Sequence, residues 1–248
     1  MPKRWALSPY EVAITAIFSA LVCVATFAFT IYVPQTRGFF NIGETMVYIT
    51  ALLFGPIVGG IAGGFGSMLA DLILGYAHYA PATLVIKAFE GLVVGFVSRK
   101  TPKVSSKTRW KVYTSLIGVF PGLLLSIIGS IYYSGSVELY LGLSQEQPAT
   151  ILFIPTWVWY ILGFLTTLSI LLVGSLSEPE LGWTILSIIL GGLVMVTGYF
   201  LYEQLFLGVL AYAEIPVNIG QMTVGLVVSV PVVRAVLKYL PSLKRTPR

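Results

Sequence analysis

The 248-residue chain is short of nearly everything from which a water-exposed surface is built. Charged residues make up 10% of it, against about 25% in ordinary globular domains. That deficit excludes a disordered chain, a disulfide-rich secreted module and a cytosolic enzyme. The single cysteine, Cys23, lies in an apolar run and has no internal partner for a disulfide. With only one histidine, His78, beside it, zinc and iron sites of ordinary ligand spacing are excluded too. No Walker-type G-x-x-x-x-G-K-[ST] loop, H-E-x-x-H helix or G-x-S-x-G elbow occurs, so neither ATP hydrolysis by that route nor serine or zinc hydrolysis is signalled. The chain does not read as an enzyme, and no cofactor or metal is expected.

Apolar residues make up 56% of the chain, and the mean hydropathy is +0.89. Such a chain reads as an all-α, polytopic membrane protein. A helix needs about 20 apolar residues to cross roughly 30 Å of hydrocarbon. By that measure the spans are Tyr10–Val33, a compact region Thr45–Tyr76, Ala82–Ser98, Val112–Tyr133, Ile151–Val173, Trp183–Leu207 and Pro216–Leu237. The first run is too long for a cleavable signal. The compact region is interrupted at Gly55-Pro56 and Gly59-Gly60, where a helix would turn. Two short helices there make eight in total; one kinked helix makes seven.

Charge placement separates the two counts. Lys3 and Arg4 precede the first span, and Arg99, Lys100, Lys103, Lys107, Arg109 and Lys111 fill one connection. Lys238, Lys244, Arg245 and Arg248 close the chain. If all three clusters are cytoplasmic, an even number of crossings must separate the first from the second. Eight helices satisfy this, with both termini inside; seven do not. The connections then facing outward carry one basic residue, Arg37.

Ionisable groups in a bilayer are costly and mark either a functional site or an internal pair. At 1.5 Å per helical residue, Lys87 lies about 7 Å and Glu90 about 12 Å below the outer end of their span. Asp71 and Glu203 lie roughly 6 Å deep on theirs, and Asn218 and Gln221 about 3 and 7 Å deep on the last. Glu44 opens the second helix from the same side, and Asn41 and Glu214 sit at the rim. The pattern describes a cup open to the exterior and closed below. Lys87 and Glu90 share a helix face, as do Asn218 and Gln221. Tyr76, His78 and Tyr79 lie in the loop above, where rings can cover a small heteroaromatic ligand. Bland alternatives stand beside this. Lys87–Glu90 reads equally as a structural pair, Asp71 as a helix-end cap, His78 as a solvated loop residue, and Trp157, Trp159 and Trp183 as interfacial anchors.

Small residues form two further patterns. Gly59-xxx-Gly63 and Gly60-xxx-Gly64 allow close helix packing. Ala16-xxx-Ala20 on the first helix makes a smooth strip suited either to internal packing or to a partner helix.

Several stretches together resemble the substrate-binding S component of energy-coupling factor (ECF) vitamin transporters, particularly the hydroxymethylpyrimidine-transporter-like branch. They are Phe40-Asn41-Ile42-Gly43-Glu44-Thr45, Ala51-Leu52-Leu53-Phe54-Gly55-Pro56, the run from Ala62 to Asp71, Gly75-Tyr76, the run from Ala80 to Lys87, and the run from Glu214 to Gln221. The resemblance implies a six-helix core with an exterior-facing pocket. On this chain that pocket would draw on Asn41, Glu44, Tyr76, His78, Tyr79, Lys87, Glu90, Glu203, Asn218 and Gln221. It further implies that Ala16 and Ala20 dock onto a transmembrane T component, with two cytoplasmic ATPases driving uptake. Family members usually carry aspartate where Glu44 stands. The other departure is an insertion: residues 1–103 and 181–248 would form the core, and 104–180 an inserted helix pair. The expected function is high-affinity capture of a small water-soluble vitamin or precursor. The alternatives are a stand-alone ion-coupled secondary transporter of a small metabolite, with sodium held near Gly55–Gly64, and a purely structural membrane subunit.

Overall fold

The computed structural model describes residues 7–33, 36, 38–100, 107–140, 150–176 and 179–243. The basic residues Lys3, Arg4, Arg37, Lys103, Lys244, Arg245 and Arg248 lie outside the described residues. Among the described residues there are eight α-helices and four strands. The helices are α1 (Pro9–Ala28), α2 (Glu44–Phe54), α3 (Pro56–Ile73), α4 (Ala80–Ser98), α5 (Lys107–Tyr132), α6 (Thr156–Leu176), α7 (Pro179–Gln204) and α8 (Glu214–Tyr239). Four strands, β1 (Thr30–Val33), β2 (Gly38–Asn41), β3 (Gly135–Tyr140) and β4 (Thr150–Ile154), join in one sheet of order β2-β1-β3-β4. Among the described residues, α1, α3, α4, α7 and α8 are long and apolar enough to cross a membrane. The protein is therefore a multi-pass membrane protein.

Local chemistry sets the boundaries. Ser8 and Glu11 form a reciprocal capping box at the start of α1, and Pro9 follows at its first position. The compact region divides once, at Gly55, whose φ of +90° suits glycine, and Pro56 starts α3. The expected second break at Gly59-Gly60 is absent, because α3 runs straight through those glycines. Two of the expected spans also need correction. The run to Val33 leaves the helix after Ala28 and becomes β1, and Ile151 to Ile154 belong to β4 rather than to α6. Thr30, Ile31 and Val33 are the β-branched residues that favour a strand there.

The glycines of α3 explain how it takes a central place. A Cβ at Gly60 would meet the Ala88 carbonyl oxygen at 2.9 Å, and one at Gly64 the Leu84 carbonyl oxygen at 2.6 Å, both on α4. On another face, a Cβ at Gly59 would meet Ala51 Cα at 2.6 Å, and one at Gly63 would meet Val47 Cγ1 at 3.0 Å, both on α2. The two small-residue spacings thus serve two neighbours at once. Helix α1 also packs on α3, α4 packs on α7, and α2 and α7 pack on α8. Helices α5 and α6 pack mainly on each other, with smaller contacts to α7 and α8. On α1, Thr15, Val22, Cys23 and Thr26 face inward, whereas Ala16 and Ala20 are exposed on the outer face beside Ile17, Leu21 and Val24.

Candidate functional site

A cavity of about 50 Å³ opens where β2 crosses the ends of α3, α4, α7 and α8. Its lining includes Asn41, Tyr76, Tyr79, Lys87, Glu203, Asn218 and Gln221, seven of the positions singled out from the sequence. Glu44 and Glu90 stand directly behind it. The Lys87 ammonium donates to Glu44 and, at 3.1 Å, to Glu90 Oε2. The Tyr48 hydroxyl donates to Glu90 Oε1 at 2.8 Å, and Lys87 Nζ lies 5.5 Å from the centre of the Tyr199 ring. Lys87 is 4% exposed, Glu44 1% and Glu90 fully buried. A lone buried charge is prohibitive, and this arrangement compensates it with hydrogen-bonded partners on α2 and α4.

Above this floor, polar side chains tie the strands to the helices. Gln221 Oε1 accepts from the Asn41 backbone N–H at 3.0 Å, and Gln221 Nε2 donates to Asn218 Oδ1 at 2.9 Å. Asn41 Oδ1 accepts from the Gly43 N–H at 2.8 Å. The Thr36 hydroxyl donates to Glu214 and accepts from the Gly38 N–H at 3.2 Å. Tyr79 donates to Glu203 Oε1 at 3.3 Å, and the Tyr199 hydroxyl donates to Thr83 Oγ1 at 3.0 Å. Burial, and then the Glu203 carboxylate, hold the Tyr79 hydroxyl well above its usual pKa, so it remains a donor. Phe39 on β2 and Tyr76 stack obliquely with centroids 4.8 Å apart. An aromatic wall, a charged floor and convergent hydrogen-bonding groups are the ordinary features of a small-molecule site.

Not every expected contact reaches the cavity. His78 is exposed and outside the lining. Its ring lies against the outer side of Tyr79, 4.7 Å between centroids, and its carbonyl accepts from Tyr202. Asp71, readable as a mere cap, is 5% exposed and lines the cavity, as does Glu214. Thr26, Gly38, Phe39, Ser67, Thr83 and Tyr199 complete the lining without having been singled out from the sequence.

A model of the ECF-type riboflavin transporter S component family matches residues 6–174, more than half of the chain. The chain belongs to that family. The matched stretch runs from α1 into α6. The family is one of transporter S components, not of enzymes. Two relatives agree in part. One is an "uncharacterized protein in gap 3'region" of Pyrococcus woesei, 40% identical over 119 residues, which are 48% of this chain and 73% of that protein. The other is the thiamine precursor transporter HmpT of Lactococcus lactis subsp. cremoris, 30% identical over 91 residues, which are 36% of this chain and 55% of that protein.

Proposed function

We propose that the protein is the membrane-embedded, high-affinity binding subunit for uptake of a small water-soluble vitamin or vitamin precursor. The observation that carries this reading is the buried, polar, aromatic-walled cavity at one end of an otherwise apolar bundle. Riboflavin, in the name of the matching family, and a thiamine precursor, in the name of a relative, are the ligand types to try first. Both termini are cytoplasmic in this reading. Among the described residues, Arg99, Lys100, Lys111 and Lys238 sit at helix ends opposite the cavity, where the positive-inside rule puts the cytoplasm. A T component docks on the exposed strip of Ala16 and Ala20, and two ATPases energise release.

Residues 1–103 and 181–248 act as the six-helix core, with residues 104–180 inserted. Helices α7 and α8 supply Tyr199, Glu203, Glu214, Asn218 and Gln221 to the cavity, and among the described residues α5 and α6 supply none of its lining. The family match through residue 174 favours the other division, with α5 and α6 in the core and α7 and α8 added. Deleting residues 104–180, with a short linker in their place, separates them: the first division keeps ligand binding and the second loses it.

Two measurements test the function itself. Detergent-purified protein, without partners or ATP, should bind a vitamin-type ligand, seen by native mass spectrometry of co-purified molecules. Uptake into vesicles should need ATP and a coupling module, and Ala16→Trp should abolish uptake while leaving binding intact. Uptake by this protein alone, driven by an ion gradient, would replace this reading with the secondary-transporter one.

A further inference from the structure

The ionisable groups around the cavity fall into two tiers with different chemistry. The deep tier, Lys87 with Glu44 and Glu90, lies about 10 Å along α4 from Ala80 and is ion-paired internally; its one unpartnered oxygen among the described residues, Glu44 Oε2, belongs to a residue outside the cavity lining. The upper tier is Asp71, about 3 Å from the end of α3, Glu203 at the end of α7 and Glu214 at the start of α8. All three line the cavity and are 5%, 2% and 4% exposed. Among the described residues their hydrogen-bond partners are hydroxyls, Thr83 for Asp71, Tyr79 for Glu203 and Thr36 for Glu214, and no ion pair reaches them. Asp71 Oδ2 and Glu203 Oε2 are buried with no hydrogen-bond partner. Buried acceptors on a cavity wall, lacking donors of their own, are complementary to donors on a ligand. Among the described residues, the one ammonium that lines the same cavity, Lys87, is already shared by two carboxylates.

Resting on the proposed role in ligand capture, we propose that Asp71, Glu203 and Glu214 form the specificity-determining wall of the cavity, selecting a ligand that presents amino N–H groups or a cationic nitrogen and rejecting its phosphorylated form. The amino edge of a heteroaromatic ring supplies donors to the unpaired oxygens. A phosphate brought to the same wall meets carboxylates at close range, with no free cation in the lining among the described residues.

The test is a titration of the full-length protein in nanodiscs with four probes: 4-amino-5-hydroxymethyl-2-methylpyrimidine, thiamine, thiamine monophosphate and riboflavin. At least one of the first two should bind about tenfold or more tighter than riboflavin and thiamine monophosphate, the scale of one hydrogen bond to a charged group. Glu203→Gln and Glu214→Gln keep the side-chain shape, and each should cost that probe about tenfold and cost riboflavin clearly less. Thermal melting of each variant without ligand identifies one that has lost its fold, and Asp71→Asn then takes its place. Tightest binding of riboflavin or of the phosphate ester, or equal losses for all probes, overturns the acidic-wall proposal and leaves ligand capture standing. No binding of any probe by the parent protein withdraws ligand capture, and this proposal with it.

Discussion

Replacing Lys87 with methionine keeps most of the side-chain volume and removes the ammonium held between Glu44 and Glu90. Both carboxylates are almost wholly buried, so neither recovers its charge compensation from water. Removing one partner of a buried ion pair costs about 3–5 kcal/mol. For a chain of this size each kcal/mol moves the melting temperature by about 2–4 °C, so Lys87→Met should lower it by about 6–20 °C. The reverse comparison isolates the cause. Adding Glu44→Gln and Glu90→Gln to Lys87→Met removes every charge from the floor, and replacing whole buried ion pairs is often neutral or stabilising. The triple variant should therefore melt above the single one. Thermal unfolding of ligand-free protein, followed by intrinsic fluorescence in detergent, reads both. A Lys87→Met variant melting within about 2 °C of the parent, or a triple variant melting below the single one, refutes the account of Lys87 as the charge that holds the floor together.

Gly64→Leu should destabilise by at least about 1–3 kcal/mol through overpacking, because its Cβ meets the α4 backbone. Phe65→Leu on the exposed side, 48% exposed, should stay within about 0.5 kcal/mol, and parallel melting curves check the pair. Asn218→Ala removes the acceptor of the Gln221 amide and a lining side chain. It should weaken ligand binding about tenfold, read by titration of the purified variant. Ser8→Ala breaks the reciprocal cap of α1 and should cost about 1 kcal/mol, with hydrogen exchange accelerated in the first turn of that helix.

The helices were legible because a bilayer-spanning chain must satisfy its backbone within each segment, so long apolar runs admit few other readings. The division at Gly55-Pro56 was legible for a local reason, a glycine at positive φ followed by a proline at the first helical position. The sheet was not, since Thr30–Val33 and Ile151–Ile154 continue the apolar runs beside them and hydropathy alone cannot divide such a run. Ionisable site residues stood out because few places in a membrane tolerate them. Thr26 and Ser67 did not. Hydroxyls in apolar helices commonly bond to the preceding turn, as Thr26 does with the Val22 carbonyl at 2.8 Å, and that gives no sign of a cavity. Sequence position put His78 in the loop beside Tyr76 and Tyr79, but only the fold decides on which side of Tyr79 its ring falls.

The partners of each polar group also determine which part of the cup can move. The floor is held by charged contacts between α2 and α4, and α3 is locked to α4 through glycines that leave no slack. The cover is held differently. Strand β2 meets α8 through the Asn41 N–H, which donates to Gln221 Oε1, and Thr36 just before it donates to Glu214; the strand pairs with β1 over four residue pairs. Among the described residues, strand β1 joins β3 over two pairs, Thr30 with Tyr140 and Ile31 with Leu139, whereas β3 and β4 pair over five. Lifting β2 away from the cavity would break the Asn41–Gln221 hydrogen bond, part Phe39 from Tyr76 and Phe40 from the cluster around Val217, and either carry β3 and β4 along or part the β1–β3 ladder. Each hydrogen bond contributes about 0.5–1.5 kcal/mol net, whereas removing one partner from the charged floor costs about 3–5 kcal/mol. The contacts that any movement of the cover must break are thus weaker singly than those of the floor, and the α5–α6 hairpin, which carries β3 and β4, is joined to the cover through the β1–β3 ladder.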